Sequence, residues 1–267
     1  MLRDILIHMD RGAGCTARLM AAIDLAHRHG ARLKGLYVMA HPHYASSSDY
    51  MSDYAQVREF FVNATSKAGV NGEWLTVDWG VVGTPLQTIV TRYAYFADLV
   101  LIGQPVYMKN RKSSLEFHEQ ILLSCGRPVI VFPSSGQIFR FGNNILVAWK
   151  GGRESVRMIH DALPLLKAAK SVSFVSFVRE RNEQSVENAS MLQLLEHLEL
   201  HGVKAEAETV LLERITIFDA LHEYANKKQP DLIALGAFSY KSNRAPFLSL
   251  LAVELLVRSE LPLLLSH

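Results

Sequence analysis

Arg3-Asp4-Ile5-Leu6-Ile7-His8-Met9-Asp10 returns, 140 residues later, as Asn143-Asn144-Ile145-Leu146-Val147-Ala148-Trp149-Lys150. Two further pairs follow in the same order. Ala97-Asp98-Leu99-Val100-Leu101-Ile102-Gly103 returns as Pro230-Asp231-Leu232-Ile233-Ala234-Leu235-Gly236, at an offset of 133. Gly126-Arg127-Pro128-Val129-Ile130-Val131-Phe132 returns as Glu260-Leu261-Pro262-Leu263-Leu264-Leu265-Ser266, at an offset of 134. Three anchors in one order at nearly one offset indicate duplication of a whole domain, not a short solenoid repeat. The halves are expected at 1–135 and 143–267, and differences between the copies mark where function was kept or lost.

Each half is long enough to bury its own core. A chain that is 49% hydrophobic and 20% charged reads as soluble and globular. The net charge of +2 is too small to argue for nucleic acid or an anionic membrane. Cys15 and Cys125 form no CxxC pair and no disulfide framework, so a reducing cytoplasm is the simplest location. The chain enters a strand-like segment at once, and no signal peptide is expected. The most apolar stretch, 246–267, is broken by Glu254, Arg258 and Glu260 and reads as a core helix and strand, not a membrane span.

Within each copy, short apolar runs alternate with longer helical ones. The first copy predicts strands at 5–9, 32–39, 73–79, 99–102 and 129–132, with helices at 17–29, 57–67, 85–96 and 114–124. The second predicts strands at 145–149, 172–178, 204–211, 232–235 and 263–265, with helices at 154–169, 185–201, 215–228 and 246–259. Near-continuous apolar strands alternating with helices specify α/β domains, each a mainly parallel five-stranded sheet with helices on both faces. Gly30 and Gly202 suit helix C-caps. Pro85 and Pro246 suit first helical turns. Pro128 and Pro262 suit the start of an edge strand, and the two last strands are expected to pair across a pseudo-two-fold. The two halves thus form an intramolecular pseudo-dimer in this reading.

Ligands of an open parallel sheet bind beyond the carboxyl ends of its strands, where strand order reverses. With order 3-2-1-4-5, Asp10 meets Gly103 in the first copy and Lys150 meets Gly236 in the second, while Val38 forms an apolar wall. Asp10-Arg11-Gly12-Ala13-Gly14-Cys15-Thr16-Ala17 contains G-x-G-x-x-A, which raises a dinucleotide-dependent enzyme as an alternative. Against it, Asp10 and Arg11 separate the strand from the first glycine. No carboxylate ends strand two to hold a ribose, and Gly151-Gly152 lacks the spacing.

Strand, Asp10, glycine-bearing turn and helix, then 97–103, then Gly126-Arg127-Pro128-Val129-Ile130-Val131, together resemble the universal stress protein family. Their double occurrence resembles a tandem, UspA-like member over essentially the whole chain. The resemblance implies two Rossmann-like domains of the adenine nucleotide alpha hydrolase-like type, with strand order 3-2-1-4-5. It also implies a cytoplasmic stress-response binding or regulatory protein, not a conventional enzyme. Nucleotide-binding members of the family carry G-x-x-G, nine residues, then G-S or G-T after strand four. Here the first copy keeps Gly103, with Val106 and Glu116-Phe117 at the other positions. The second keeps Gly236, with Ser239 and Ser249-Leu250. Glycines let backbone approach phosphate and a helix N-terminus donates to it, so neither copy has the complete ATP site. ATP or another adenine nucleotide at one residual site, as in a sensor or slow ATPase, is the alternative.

Both degenerate loops keep Tyr, Lys, Asn and Arg: 107–112 includes Lys109 and Arg111, and 240–244 includes Lys241 and Arg244. One reading is an anion site in which side-chain charge replaces glycine backbone; the other is two solvated loops. His118-Glu119 and His222-Glu223 begin like zinc-protease helices, but Leu122 and Asn226 stand where a second histidine is required, so both histidines read as helix-surface residues. His8, His41 and His43 lack a fourth ligand, and no metal is expected. Cys15 at a helix start raises redox sensing beside a plain N-terminal packing role. The polar segment 41–53 reads as a lid, a partner surface or a merely mobile loop. A homodimer and a regulatory protein partner complete the expected associations.

Overall fold

A computed structural model of the chain describes residues 1–39, 47–78, 83–105, 113–135, 138–239 and 247–267, without the side chains of 47–53 and 113–114. Two units emerge, Met1–Arg140 and Phe141–His267.

In the first unit, β1 (Asp4–Met9), β2 (Arg32–Met39), β3 (Gly72–Asp78), β4 (Leu99–Gly103) and β5 (Val129–Phe132) form a parallel sheet in order β3-β2-β1-β4-β5. This is the 3-2-1-4-5 order expected. Ile5, Leu6, Ile7 and Leu99–Ile102 are buried, because helices cover both faces of the central strands. The helices are α1 (Cys15–His29), α2 (Ser47–Lys67), α3 (Leu86–Ala94) and α4 (Ser113–Ser124). Right-handed crossovers place α1 and α2 on one face and α3 and α4 on the other, and α1 packs on α2 as α3 packs on α4. Phe61 anchors α2: a methyl on Gly35 would meet its ring at 2.6 Å, and Trp74 of β3 lies 5.3 Å from it, centroid to centroid.

The second unit repeats the plan. β6 (Asn144–Trp149), β7 (Ser171–Val178), β8 (Glu206–Leu211), β9 (Leu232–Gly236) and β12 (Leu263–Ser266) run parallel in order β8-β7-β6-β9-β12. Its helices are α5 (Arg153–Ala168), α6 (Arg181–Leu200), α7 (Ile217–Lys228) and α8 (Leu250–Arg258). A short antiparallel pair, β10 (Phe238–Ser239) and β11 (Phe247–Leu248), is inserted between β9 and α8.

The repeated aspartate now has a reason. The Asp98 carboxylate accepts from the Arg3 and Asp4 amides at 2.7 and 3.0 Å. Asp231 accepts from the amides of Gly142, Asn143 and Asn144 at 2.8–3.0 Å. Each clamps the amino end of its strand one, the end remote from any ligand. The repeated proline keeps its carbonyl in the ladder: Val100 donates to Pro128 at 3.1 Å and Ile233 to Pro262 at 3.0 Å.

Among the element boundaries that differ from the sequence reading, four have a local cause. α2 begins at Ser47, ten residues before 57, so 47–53 of the polar segment is helix and not loop; serine is a good helix starter as well as a loop residue. α6 begins at Arg181, where the Glu183 carboxylate accepts from the Glu180 amide at 3.2 Å, a box closed without a serine or threonine. Pro85 is the N-cap of α3, just outside the helix. α8 begins at Leu250 and not at 246, because β11 precedes it.

Candidate functional site

In the first unit the strand order reverses between β1 and β4. The register Ile7↔Leu101 sets Met9 level with Gly103, and Met9↔Tyr37 sets Asp10 level with Val38, which is half-buried. Asp10, Val38 and Gly103 thus share one end of the sheet.

A guanidinium occupies the mouth between the strands. Arg18, in the first turns of α1, has a side chain only 2% exposed and donates to Asp10 Oδ2 at 2.6 Å. It also donates to the His8 carbonyl at 3.0 Å. A methyl on Gly103 would run into Arg18 Nη1. A side chain there would have to displace the chain's own guanidinium. The Gly12 amide closes a turn onto Asp10 Oδ1 at 2.7 Å, so both carboxylate oxygens are engaged and the N–H needed by a dinucleotide fingerprint is spent. His118 of α4 reaches the Gly103 carbonyl at 2.6 Å; a carbonyl only accepts, so Nε2 carries the proton. His8 Nδ1 lies 3.7 Å from Asp10 Oδ2, beyond hydrogen-bond reach, and its ring is 5.9 Å from Phe117.

The electrostatics follow from burial. Burial lowers the His8 pKa to about 4; the Asp10 charge opposes this, while Arg18 and His118 add to it. His8 is therefore neutral at pH 7. Burial works against the Asp10 carboxylate, but Arg18, His8 and the Gly12 amide outweigh it and hold Asp10 below the usual carboxylate range. Burial pushes the Cys15 thiol up, against the pull of Arg18. Cys15 and Cys125 are both buried and neither is in a disulfide, so Cys15 has the environment of a packed thiol and not of a redox sensor. Beside the pair lies a recess of about 220 Å³ walled by Asp10, Gly12, Cys15, Thr16, Val57 and Phe60.

The second unit solves the same position differently. Val147↔Ala234 and Ala148↔Leu235 set Gly236 level with Trp149, and Lys150 follows, exposed. Gly152, at φ 89° and ψ 174°, takes a conformation suited only to glycine and starts α5. The first turn of α5 then presses on Gly236, where a methyl would meet Glu154 Cβ at 2.9 Å and its backbone at 3.0 and 3.1 Å. Ser239 lies in β10, paired with Phe247. Ser249 caps α8, its hydroxyl accepting from the Ala252 amide at 3.1 Å. His267 packs edge-on against Phe238 at 4.6 Å.

Asp10, Val38 and Gly103 therefore come together in the first unit, and Gly236, Ser239 and Ser249 lie along the β9–α8 connection of the second. Lys109, Arg111, Lys241 and Arg244 lie outside the described residues, as do His41 and His43. His118 corrects the sequence reading: it is 4% exposed and holds the Gly103 carbonyl, whereas His222 is on the surface as expected. Sequence reasoning also missed Arg18. Its signal was a lone charge in the buried stripe Ala17, Arg18, Ala21, Ala22 and Leu25 of α1. Among the described residues no group of three metal-ligating side chains is placed to hold an ion, and no helix is long and apolar enough to cross a membrane.

The architecture has close counterparts among solved structures. A universal stress protein from Archaeoglobus fulgidus DSM 4304 superposes with a TM-score of 0.73 at 14% identity, over 98% of this chain and 97% of that one. Its fold is that of the universal stress proteins. A putative universal stress protein from Pseudomonas aeruginosa UCBPP-PA14 matches with a TM-score of 0.62 at 15% identity, over 99% and 93% of the two chains. A functionally unknown protein from Pseudomonas aeruginosa PAO1 matches with a TM-score of 0.62 at 14% identity, over 99% and 92%. At such identities the likeness is one of fold. No family model matches the sequence, and no curated protein matches it either. Asp10 and Gly103 stand at the strand reversal of this fold, with Arg18 lying between them.

Proposed function

We propose that this chain is a tandem universal stress protein that acts by binding and not by catalysis: a cytoplasmic stress-response regulator whose first unit takes no ATP. The observation that carries this is the Arg18 guanidinium. It lies on Gly103, neutralises Asp10 and fills the space a nucleotide needs at the strand reversal. The bond from His118 to the Gly103 carbonyl closes the same spot from the other face. With its ligand end packed by its own side chains, the unit retains a scaffold suited to contacts with a protein partner or with a second copy.

The test is calorimetry and thermal shift of the untagged chain with ATP, ADP and cyclic dinucleotides. No heat and no dose-dependent rise in melting temperature is the expected result, and a saturable rise with ATP overturns it. A second reading, a nucleotide sensor or slow ATPase, draws on the second unit, where Lys150 is exposed beside Gly236 and Lys241 and Arg244 are near in sequence. In that reading ATP binds and is lost in Lys150→Ala or in Lys241→Ala with Arg244→Ala, while Asp10→Asn leaves it unchanged.

A further inference from the structure

In the second unit α7 and α8 leave between them a cleft of about 490 Å³, within the range of roughly 300–1,000 Å³ typical of small-molecule sites. It lies at the amino ends of β9 and β12, where Pro230 and Leu261 line it, and so at the opposite end of the strands from Gly236. Its floor is apolar: Leu221 and Ala225 of α7, Ile233 of β9 and Leu255 of α8 are all buried. The Phe218 ring forms a wall, and the exposed His222 ring lies parallel to it, with centroids 6.4 Å and planes 6° apart.

The rim carries charge of both signs. The Arg258 guanidinium stands 4.1 Å over the centre of the Phe218 ring, and that contact steadies its planar fork at the mouth. Glu260 lines the mouth two residues on. Both are exposed, and among the described residues neither forms an ion pair. Asp219 also lines the cleft, but its carboxylate already accepts from the Thr216 hydroxyl at 2.7 Å. The first copy carries other residues at these places: Ser124 for Arg258, Gly126 for Glu260 and Arg127 for Leu261. There Arg127 donates to the Tyr95 carbonyl at 2.9 Å and ties the start of β5 to the end of α3, a bridge that leucine cannot make.

We propose that this cleft binds a free α-amino acid with an apolar side chain. The side chain lies on the floor of Leu221, Ile233 and Leu255, where its burial is favourable. The carboxylate meets the fork of Arg258, and the ammonium meets Glu260. A simple carboxylate would face Glu260 uncompensated, and a simple amine would face Arg258, so a rim of both signs selects a ligand of both signs. The carboxyl ends of α7 and α8 border the cleft through Asn226 and Arg258, and their partial negative charge favours the ammonium. The site is remote from Lys150 and Gly236, so it stands or falls independently of nucleotide binding.

The experiment is calorimetry and thermal shift of the untagged full chain with L-leucine and L-phenylalanine at neutral pH. One ligand per chain and a dose-dependent rise in melting temperature are expected. Isocaproate, which lacks the ammonium of leucine, and isoamylamine, which lacks its carboxylate, should each bind at least roughly tenfold more weakly. L-Leucine should lose as much affinity for Arg258→Gln and for Glu260→Gln. Both positions are exposed, so circular dichroism matching the parent separates lost binding from lost fold. Glu223→Gln, exposed on α7 outside the cleft, should change nothing. Absence of saturable binding tighter than about 1 mM overturns the proposal. Equal binding of an analogue that lacks one charge overturns it as well, as does undiminished binding in both charge variants.

Discussion

Arg18→Met tests whether the arginine at the ligand end is an integral part of the first unit. Methionine keeps most of the buried stem and removes the charge. Breaking a fully buried ion pair by deleting one partner costs about 3–5 kcal/mol. Here Arg18 is 2% exposed but the Asp10 side chain is 32% exposed, so water resolvates the released carboxylate, and screening trims the loss to about 2–3 kcal/mol. The bond to the His8 carbonyl is lost as well. For a unit of this size the change lowers the melting temperature by roughly 6–12 °C. Asp10→Asn should also destabilise, since it leaves a buried guanidinium facing a neutral amide. The double variant should cost less than the two singles combined, with a coupling of about 1–2 kcal/mol. The assay is urea unfolding followed by tryptophan fluorescence in a Trp149→Phe background, where the remaining tryptophans, 74 and 79, both belong to the first unit. A coupling under about 0.5 kcal/mol means the pair is not energetically linked, and the account of the filled mouth fails.

Other expectations follow from the same structure. Asp231→Ala removes the acceptor of three backbone amides and should cost the second unit about 2–4 kcal/mol, measured by urea unfolding; a loss within 0.5 kcal/mol refutes the clamp. Gly236→Ala drives a methyl into the Glu154 backbone at 3.0 Å and should destabilise by about 1–3 kcal/mol, whereas a variant as stable as the parent shows that α5 moves freely. His8 sets a pH window. Its folded pKa, about 4, lies below the ordinary value of 6.5, so the unfolded chain takes up the proton first. Stability is whole above about pH 6.5 and falls as pH drops toward 4. Asp10, whose folded pKa is depressed, extends the loss below its unfolded value. Unfolding free energies measured from pH 7.5 to 4.5 should show that slope, and His8→Gln should flatten it; an unchanged slope in the variant assigns the proton elsewhere.

The scaffold was legible because its signals are periodic and redundant. Ile5–Met9 and Ile145–Trp149 read as buried parallel strands from composition alone, whereas the order 3-2-1-4-5 is what the resemblance to the universal stress proteins implies, since right-handed crossovers fix the helix faces and not the strand order. The ligand end was legible only in part. That Asp10, Val38 and Gly103 share one end of the sheet was readable because topology fixes which strand ends converge. Arg18 and His118 were missed because they enter from helices, and a helix residue declares its direction only after the helix is docked. An isolated His-Glu pair on α4 looked no different from the pair on α7, yet one histidine is buried on a carbonyl and the other faces solvent.

The glycines at the ends of β4 and β9 bear most directly on function. A glycine in that position invites a phosphate reading, since backbone without a side chain can approach a ligand. In each unit, however, the space above the glycine is taken by the chain itself: by the Arg18 guanidinium over Gly103, and by the first turn of α5 over Gly236. Two unrelated fillings of one position mean that retention of the glycine in both copies is explained by packing, without a ligand. The aspartates clamping strand one are equally structural and also occur in both copies. What the copies share therefore maintains the fold. What they do not share, Asp10 with Arg18 on one side and Lys150 with Gly152 on the other, lies at the carboxyl ends of the strands, where the strand order reverses. Any activity at those ends that distinguishes the two units must be sought in those unshared residues.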